Sequence, residues 1–196
     1  MDELSQTKNE NSKKGGFWGE IFKFTLIAVI IVVPFRMFIA QPFIVSGASM
    51  DPSFKDGEYL IVDQLSYHLE SPARESVVIF RYPLKPSTFF IKRIIGLPGE
   101  TIEIKSGVVT VKNAANPNGF VLNDSYIAEG NKKFDDFKIT LGNKEYFVMG
   151  DNRKGSLDSR AWGPVKESLI VGRPLVRVLP LSKTGIFPGD HSSDTY

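Results

Sequence analysis

The sequence predicts a mainly β protein: a single N-terminal transmembrane helix followed by an all-β catalytic domain of folded sheets, a sandwich or partly closed barrel, with a small inserted subdomain. One apolar segment lies near the N-terminus, and short β-branched and aromatic runs bounded by Gly, Pro and Asp follow it. No later run has the length and the 3.6-residue period of a helix. The 196 residues suffice for one domain of ordinary size plus an anchor.

The composition excludes several functional classes. With 24 Lys and Arg against 22 Asp and Glu, the net charge of +2 indicates no nucleic-acid partner. The absence of cysteine excludes disulfides, Cys nucleophiles and Cys-ligated metal sites. No helix-spaced His/Glu pair occurs, so we expect no metal and no other cofactor.

The predicted anchor is the segment 18–40, which follows a cytoplasmic tail of residues 1–17. Its stretch 22–40 has 19 residues, near the ~20 that a membrane-spanning helix needs, and 24–35 carries no charge. The lysines before it favour a cytoplasmic N-terminus and a domain outside the cell membrane. A cleaved signal peptide and a buried core helix are the alternatives. The bulky Phe38 at −3 argues against cleavage after Ala40, and the polar N-terminal residues argue against a core helix.

Residues 41–188 are predicted to form the extracytoplasmic domain, with a variable insertion at 113–143 and a disordered tail at 189–196. The pair Ser106-Gly107 separates two alternating runs and predicts a two-residue hairpin turn. The predicted strands are 58–63, 76–82, 89–95, 101–105, 108–112, 144–149, 169–172 and 175–179.

A serine and a lysine form the first candidate catalytic pair. Ser49 lies just past the anchor, between a glycine and a proline that shape a turn, and Lys92 lies among apolar residues of a predicted strand. A lysine base must be neutral, and apolar burial lowers its pKa toward 8. The alternatives are a plain connecting turn at Ser49 and a solvated strand lysine at Lys92. Arg93 is expected on the opposite face of the strand, in solvent.

A third polar segment, 150–163, holds two Asp, two Arg and two Ser between glycines. Salt bridges of Asp151 or Asp158 with Arg153 or Arg160 would make it a rigid surface loop. A hydroxyl held by such a loop would also orient a lysine amine, as the third member of a triad orients the base.

These three segments, in this order behind an anchor, resemble the conserved boxes of bacterial type I signal peptidases, the leader peptidases with a Ser/Lys dyad. The matching residues are Ser49-Met50 with Pro52, Lys92-Arg93 with 96–99, and 150–153 with Ser156, 158–160 and Gly163. The similarity extends from the anchor to about Pro188.

The resemblance implies a membrane-bound endopeptidase that removes signal peptides from secreted preproteins after small residues at −1 and −3. It makes Ser49 the nucleophile, Lys92 the general base and Ser156 the hydroxyl that hydrogen-bonds the lysine. The charged residues that support the site are then Asp158, Arg160, Asp151 and Arg153.

The resemblance also places the oxyanion at the Ser49 backbone N–H. Some members add a serine hydroxyl two residues before the nucleophile. Gly47 occupies that position here, as in the Gram-positive-like branch, and whether Ser46 substitutes stays open.

The preprotein would bind as an extended strand, either along the segment before Ser49 or along the strand of Lys92, and membrane lipid would contact the apolar side chains near Phe43 and Phe54. The substrate-binding residues implied by the family are Phe43, Val45, Gly47, Met50, Phe54, Phe90 and Ile91.

Three other functions compete with this interpretation. A related Ser/Lys protease would have another substrate, such as pilus precursors or, in the self-cleaving repressors, its own chain. A membrane-anchored β domain without catalytic activity would bind a protein partner and would tolerate changes at Ser49 and Lys92. A histidine-based triad would use His68, although the residues around it do not resemble a site that orients a base.

Overall fold

The computed structural model describes residues 14–34, 40–133 and 136–190. The chain divides into two compact units, residues 1–38 and 39–196. The first unit holds helix α1 (Lys14–Pro34), and the second holds all the described strands.

Helix α1 exposes large apolar side chains along its length. Among the described residues, no helix combines the length and the apolarity that a membrane crossing requires. The predicted anchor extends to residue 40, and its residues 35–39 lie outside the described part of the chain, as does the tail 1–13. The exposed side chains of α1 include Phe17, Trp18, Phe22, Phe24, Ile30 and Ile31.

The second unit is built from two antiparallel sheets, which confirms the mainly β prediction. Beyond α1, the longest α-helices described, α2 (Ser66–Leu69) and α3 (Ser159–Trp162), have four residues each. The strands are β1 (Ala40–Ile44), β2 (Tyr59–Asp63), β3 (Val77–Tyr82), β4 (Lys85–Gly96), β5 (Thr101–Lys105), β6 (Val108–Lys112), β7 (Phe120–Val121), β8 (Phe137–Thr140), β9 (Glu145–Met149), β10 (Val165–Lys166), β11 (Ile170–Leu179) and β12 (Gly185–Ile186).

The larger sheet has eight strands in the order β1-β2-β11-β3-β4-β9-β10, with β12 paired to β11. The smaller sheet has the order β7-β6-β5-β8. Strands β5 and β6 pair from Thr101↔Lys112 to Lys105↔Val108, so Ser106 and Gly107 form the predicted hairpin turn. Both turn residues have positive φ, as the tight hairpin requires.

The predicted insertion 113–143 contributes β7 and β8 to the smaller sheet. The apolar face of this sheet packs on one side of β4 and β9, in a core that contains Ile95, Ile102, Phe147 and Met149. A second core, with Phe80, Ile94 and Val148, covers another face of β3, β4 and β9. Strand β4 is therefore buried toward its C-terminal end, where Lys92 lies.

Candidate active site

Ser49, the predicted nucleophile, lies on the turn of residues 45–58 between β1 and β2, named the nucleophile turn below. The base and the floor of this turn are both fixed. Val45 N–H donates to Glu58 O and Gly57 N–H donates to Val45 O, both at 2.9 Å, which closes the base of the loop. Met50 and Phe54 are 1% and 0% exposed and pack with Val45 in a third core, which forms the floor. The half-buried Ser49 is thus presented on a turn anchored by buried apolar side chains.

Lys92 lies within reach of the serine hydroxyl, and Lys92 Nζ donates to Ser49 Oγ at 2.7 Å. A second hydrogen bond runs from Nζ to Ile91 O at 2.9 Å. The lysine is 3% exposed. Burial lowers its pKa to about 8, against the opposing effect of the carboxylates of Asp158 and Asp151. The pair has the separation that proton transfer requires and a lysine with a reduced cost of becoming neutral.

Arg93 is buried, contrary to the expectation that it stays in solvent. It does lie on the opposite face of β4 from Lys92, but that face is covered too, and the arginine is 0% exposed. Its Nε donates to Asp151 Oδ1 at 2.9 Å and its Nη2 to Asp151 Oδ2 at 2.6 Å. Nη1 donates to Glu75 O and to Gly189 O, and the guanidinium lies 4.3 Å from the ring centroid of Tyr126.

This arginine changes one expected ion pair and the expected start of the tail. Asp151 pairs with Arg93, a residue of β4, whereas the sequence pairs it with Arg153 or Arg160. Gly189, which the sequence places in the tail, accepts a hydrogen bond of 2.6 Å from Arg93. Residues 191–196 of the predicted tail lie outside the described part of the chain.

Three other charged residues of the third segment, Asp158, Arg160 and Arg153, form two further pairs. Arg160 donates from Nε to Asp158 Oδ1 and from Nη2 to Asp158 Oδ2, both at 2.8 Å. Asp158 also caps α3 and accepts from the Gly150 N–H at 3.1 Å. Arg153 pairs with Asp124 of the insertion at 3.1 Å. The Asp158–Arg160 pair therefore braces the loop itself, and the Arg153–Asp124 pair attaches it to the smaller sheet.

Ser156 lies beside the nucleophile turn, across Gly150. A Cβ at Gly150 would come within 2.3 Å of both Ser156 Oγ and Ser49 O, so only glycine permits this approach. The Ser156 Oγ is buried, and no hydrogen-bond partner for it exists among the described residues. The hydrogen bonds of Lys92 Nζ run to Ser49 and Ile91, so the expected hydrogen bond between Ser156 and the lysine is absent from the described residues.

Two asparagines hold the nucleophile turn, and neither is among the predicted site residues. Asn152 donates from its backbone N–H to Ser49 O and from Nδ2 to Ala48 O, both at 3.1 Å. Asn131, from the insertion, donates from Nδ2 to Asp51 O at 2.9 Å. Asn152 lies inside the third segment, which was the available sequence signal, whereas nothing in the sequence indicates Asn131.

An apolar cleft of about 300 Å³ opens beside Ser49 and Lys92. It is lined by five of the predicted substrate-binding residues, Phe43, Val45, Gly47, Phe90 and Ile91. The other two, Met50 and Phe54, are absent from its lining and lie in the core beneath the turn, so Phe54 is not exposed toward lipid. The sequence did not indicate Ile44, Leu60, Ile79, Phe89 or Leu157, which also line the cleft.

The histidine alternative finds no support in the geometry. His68 is exposed on α2, where its Nδ1 lies 2.9 Å from Gln64 O, and it does not line the cleft. His191 lies outside the described residues.

Comparison with known proteins identifies the family. Residues 18–179 match the family described as "Signal peptidase, peptidase S26". A probable signal peptidase I-2 from Synechocystis sp. is 34% identical over 189 residues, 94% of this chain and 84% of the relative. Signal peptidase I from Bacillus licheniformis is 33% identical over 168 residues, 80% of this chain and 84% of the relative.

Two further relatives complete the comparison. Signal peptidase I V from Bacillus subtilis is 32% identical over 166 residues, 81% of this chain and 96% of the relative. A solved signal peptidase I from Enterococcus faecalis aligns with a TM-score of 0.45 and 30% identity, over 53% of this chain and 97% of that one. By the family match and the sequence relatives, the chain belongs to the signal peptidase family, peptidase S26, and is a serine endopeptidase.

Proposed function

We propose that the protein removes N-terminal signal peptides from exported preproteins, with Ser49 as nucleophile and neutral Lys92 as general base. The observation that carries this proposal is the 2.7 Å separation of Ser49 Oγ and Lys92 Nζ at a buried lysine. Lys92 takes the hydroxyl proton as Ser49 Oγ attacks the scissile carbonyl carbon, and then gives it to the leaving amine. In the second half, Lys92 deprotonates the water that hydrolyses the Ser49 ester.

The substrate would bind as an extended strand in the cleft. Strand β9 pairs with β4 only from Arg93 to Gly96, so within the described residues no strand covers this edge of β4 at 89–92. Strand β1 likewise pairs only with β2 among the described strands. These two open backbone edges border the cleft, which supports strand addition by a peptide. The apolar walls of the cleft suit the small apolar side chains expected at −1 and −3.

The proposed oxyanion donor is the backbone N–H of Ser49, which has no hydrogen-bond acceptor among the described residues. Gly47, with φ of +87°, offers no side-chain donor. Its own N–H is engaged with Asp56 Oδ1 at 2.7 Å. The backbone donor would therefore carry the stabilisation of the tetrahedral intermediate.

Membrane attachment is part of the proposal. The segment 18–40 would anchor the chain in the cell membrane, with a cytoplasmic N-terminus and an extracytoplasmic catalytic unit in contact with lipid. The exposed apolar side chains of α1 support this role. Extraction of membranes at alkaline pH tests it: an anchored chain stays with the lipid, and release into the supernatant would contradict the anchor.

Cleavage of a preprotein with an Ala-x-Ala site tests the reaction, with purified protein in detergent. Wild type should cut after the −1 alanine, and Ser49→Ala and Lys92→Ala should both abolish the cut. The matched controls are Ser125→Ala and Lys85→Ala, since both side chains are exposed and Lys85 lies on the same strand as Lys92. Cleavage that survives Lys92→Ala would contradict the lysine base, and an uncut preprotein with folded wild type would contradict the function.

A further inference from the structure

The peptide that precedes the nucleophile is held from one side by Asn152. Its Nδ2 donates to Ala48 O at 3.1 Å, and its backbone N–H donates to Ser49 O at 3.1 Å. Its Oδ1 accepts the Gly155 N–H at 2.9 Å, which fixes the rotamer of the amide. Both carbonyl groups around the Ser49 Cα are therefore tied to the same residue.

Because a peptide group is planar, the hydrogen bond to Ala48 O also sets the direction of the Ser49 N–H. The cis peptides of the described chain are Asp51-Pro52 and Leu179-Pro180, so the Ala48–Ser49 peptide is trans. In a trans peptide the C=O and the N–H point in opposite directions within one plane. Holding Ala48 O against Asn152 therefore aims the Ser49 N–H away from the third segment.

Among the described residues, one other hydrogen bond bears on this peptide plane, from the Asp51 N–H to Ala48 O at 3.2 Å within the turn. The Ala48 side chain is exposed, so packing of its methyl group contributes little. Within the described residues the Ser49 N–H has no acceptor, so no hydrogen bond of its own sets its direction. Gly47 supplies no second side-chain donor that would compensate for a misdirected N–H.

We propose that Asn152 is a positioning residue that orients the Ser49 N–H toward the developing oxyanion. The inference rests on the proposed function, because it assigns a role within the same acyl-transfer reaction. Asn152 acts through the Ala48–Ser49 peptide and does not touch the reacting atoms. Its loss should therefore slow the chemical step and leave ground-state binding of the preprotein unchanged.

The test compares wild type with Asn152→Ala and Asn152→Gln on the Ala-x-Ala preprotein. Removal of one oxyanion donor costs about 10²–10³ in kcat, so a misaligned donor should cost roughly 10- to 100-fold, with KM within about twofold. A peptide aldehyde, which forms a tetrahedral adduct with Ser49, should bind more weakly by the same factor as kcat falls. Asn152→Gln keeps the amide and should recover part of the loss.

Asn131→Ala is the comparison variant. It removes an equivalent amide-to-carbonyl bond from the same turn, at Asp51 O, and the peptide of that carbonyl runs to Pro52 and has no N–H. If both asparagines merely hold the loop, the two variants should lose kcat and thermal stability alike. We expect the kcat loss to be at least fivefold larger for Asn152→Ala.

The outcomes separate the two proposals. Active wild type with equal kcat losses in the two variants, or with unchanged aldehyde affinity in Asn152→Ala, overturns the role of Asn152 alone. A larger kcat loss that tracks the aldehyde affinity supports that role. Wild type that folds and does not cleave overturns the proposed function, and this inference with it.

Discussion

At the scale of single residues, the environment of Lys92 supports the proposed chemistry. Burial is the largest influence on its pKa and lowers it to about 8, whereas Asp158 and Asp151 oppose the change. With that value about one lysine in ten is neutral at pH 7, compared with fewer than one in a thousand for an ordinary lysine. The same buried pocket brings its Nζ to 2.7 Å from Ser49 Oγ.

We expect kcat/KM for preprotein cleavage to rise with pH and to level off above an apparent pKa of about 8, because only neutral Lys92 accepts the serine proton. The pH–rate profile of wild type from pH 6 to 10 measures this, and His68→Ala should give the same profile. A pH dependence that disappears in His68→Ala would contradict the assignment.

Replacement of Lys92 by methionine should abolish cleavage and increase the free energy of unfolding at neutral pH. The folded pKa, about 8, lies below the reference value of 10.5, so the unfolded chain binds more protons between these two values. The free energy of unfolding of wild type should therefore rise with pH from about 8 to about 10.5. Below pH 8 the full free-energy penalty of burying the charged lysine is present.

The penalty corresponds to about 3 kcal/mol at most, at 1.36 kcal/mol for each pKa unit. Urea unfolding of wild type and Lys92→Met at pH 7 and at pH 10.5 measures it. The two proteins should differ most at pH 7, and a methionine variant that is less stable there would contradict the prediction.

At the scale of elements, strand β4 supports the site with both of its faces. Lys92 reaches the nucleophile turn from one face, and Arg93 holds Asp151 from the other. The guanidinium also donates to the backbone carbonyls of Glu75 and Gly189, so one side chain joins β4, the segment before β3, the third segment and the chain beyond β12. The arginine guanidinium has five donors in a fixed plane and suits this buried position, whereas a lysine would not make the same set of hydrogen bonds.

Breaking the buried Arg93–Asp151 pair should be strongly destabilising, because one charge would remain buried without its partner. We expect Asp151→Ala to cost about 3–5 kcal/mol of unfolding free energy. Glu129→Ala removes an exposed ion pair with Lys132 and should cost less than about 1 kcal/mol. Urea unfolding of both variants checks this; similar losses would mean that the buried pair adds little. If Asp151→Ala fails to fold, Asp151→Asn gives the measurement.

At the scale of the whole molecule, the insertion adds two strands to the smaller sheet and also reaches the active site. Asp124 pairs with Arg153, Tyr126 lies against Arg93, and Asn131 holds Asp51 O. The stability of the smaller sheet therefore contributes to the order of the catalytic loops. Its own stability comes from an apolar core that it shares with β4 and β9.

Truncation of Ile102 in this shared core should lower the stability of the whole unit. Its side chain is 0% exposed and lies over Gly96 of β4, so Ile102→Ala leaves a cavity and should cost about 2–5 kcal/mol. Val108→Ala, on the neighbouring strand and 48% exposed, is the control and should change little. Thermal unfolding followed by circular dichroism compares them, and equal melting temperatures would contradict the expected role of this core.

Local features of the molecule could be predicted from the sequence because their physical causes are local. The alternation of β5 and β6 and the turn at Ser106 and Gly107 depend on neighbouring residues, and the structure has both. The strands 169–172 and 175–179 were predicted separately and form one strand, β11. Pro174 interrupts the sequence pattern, but an irregularity in the register accommodates it. The short strands β7, β8, β10 and β12 give no comparable local signal.

The sequence by itself determined the mainly β class, the order of the three polar segments and the choice of Ser49 and Lys92 as the candidate catalytic pair, since residue type and spacing carry that information. Only the tertiary structure decided that Asp151 pairs with Arg93, that Met50 and Phe54 belong to the core, and that Asn131 and Asn152 hold the nucleophile turn. The reason is physical: a buried ion pair, a core contact and a hydrogen bond each depend on distances between segments far apart in the chain. The sequence shows which residues could make such contacts, and the packing of the two sheets determines which of these contacts form.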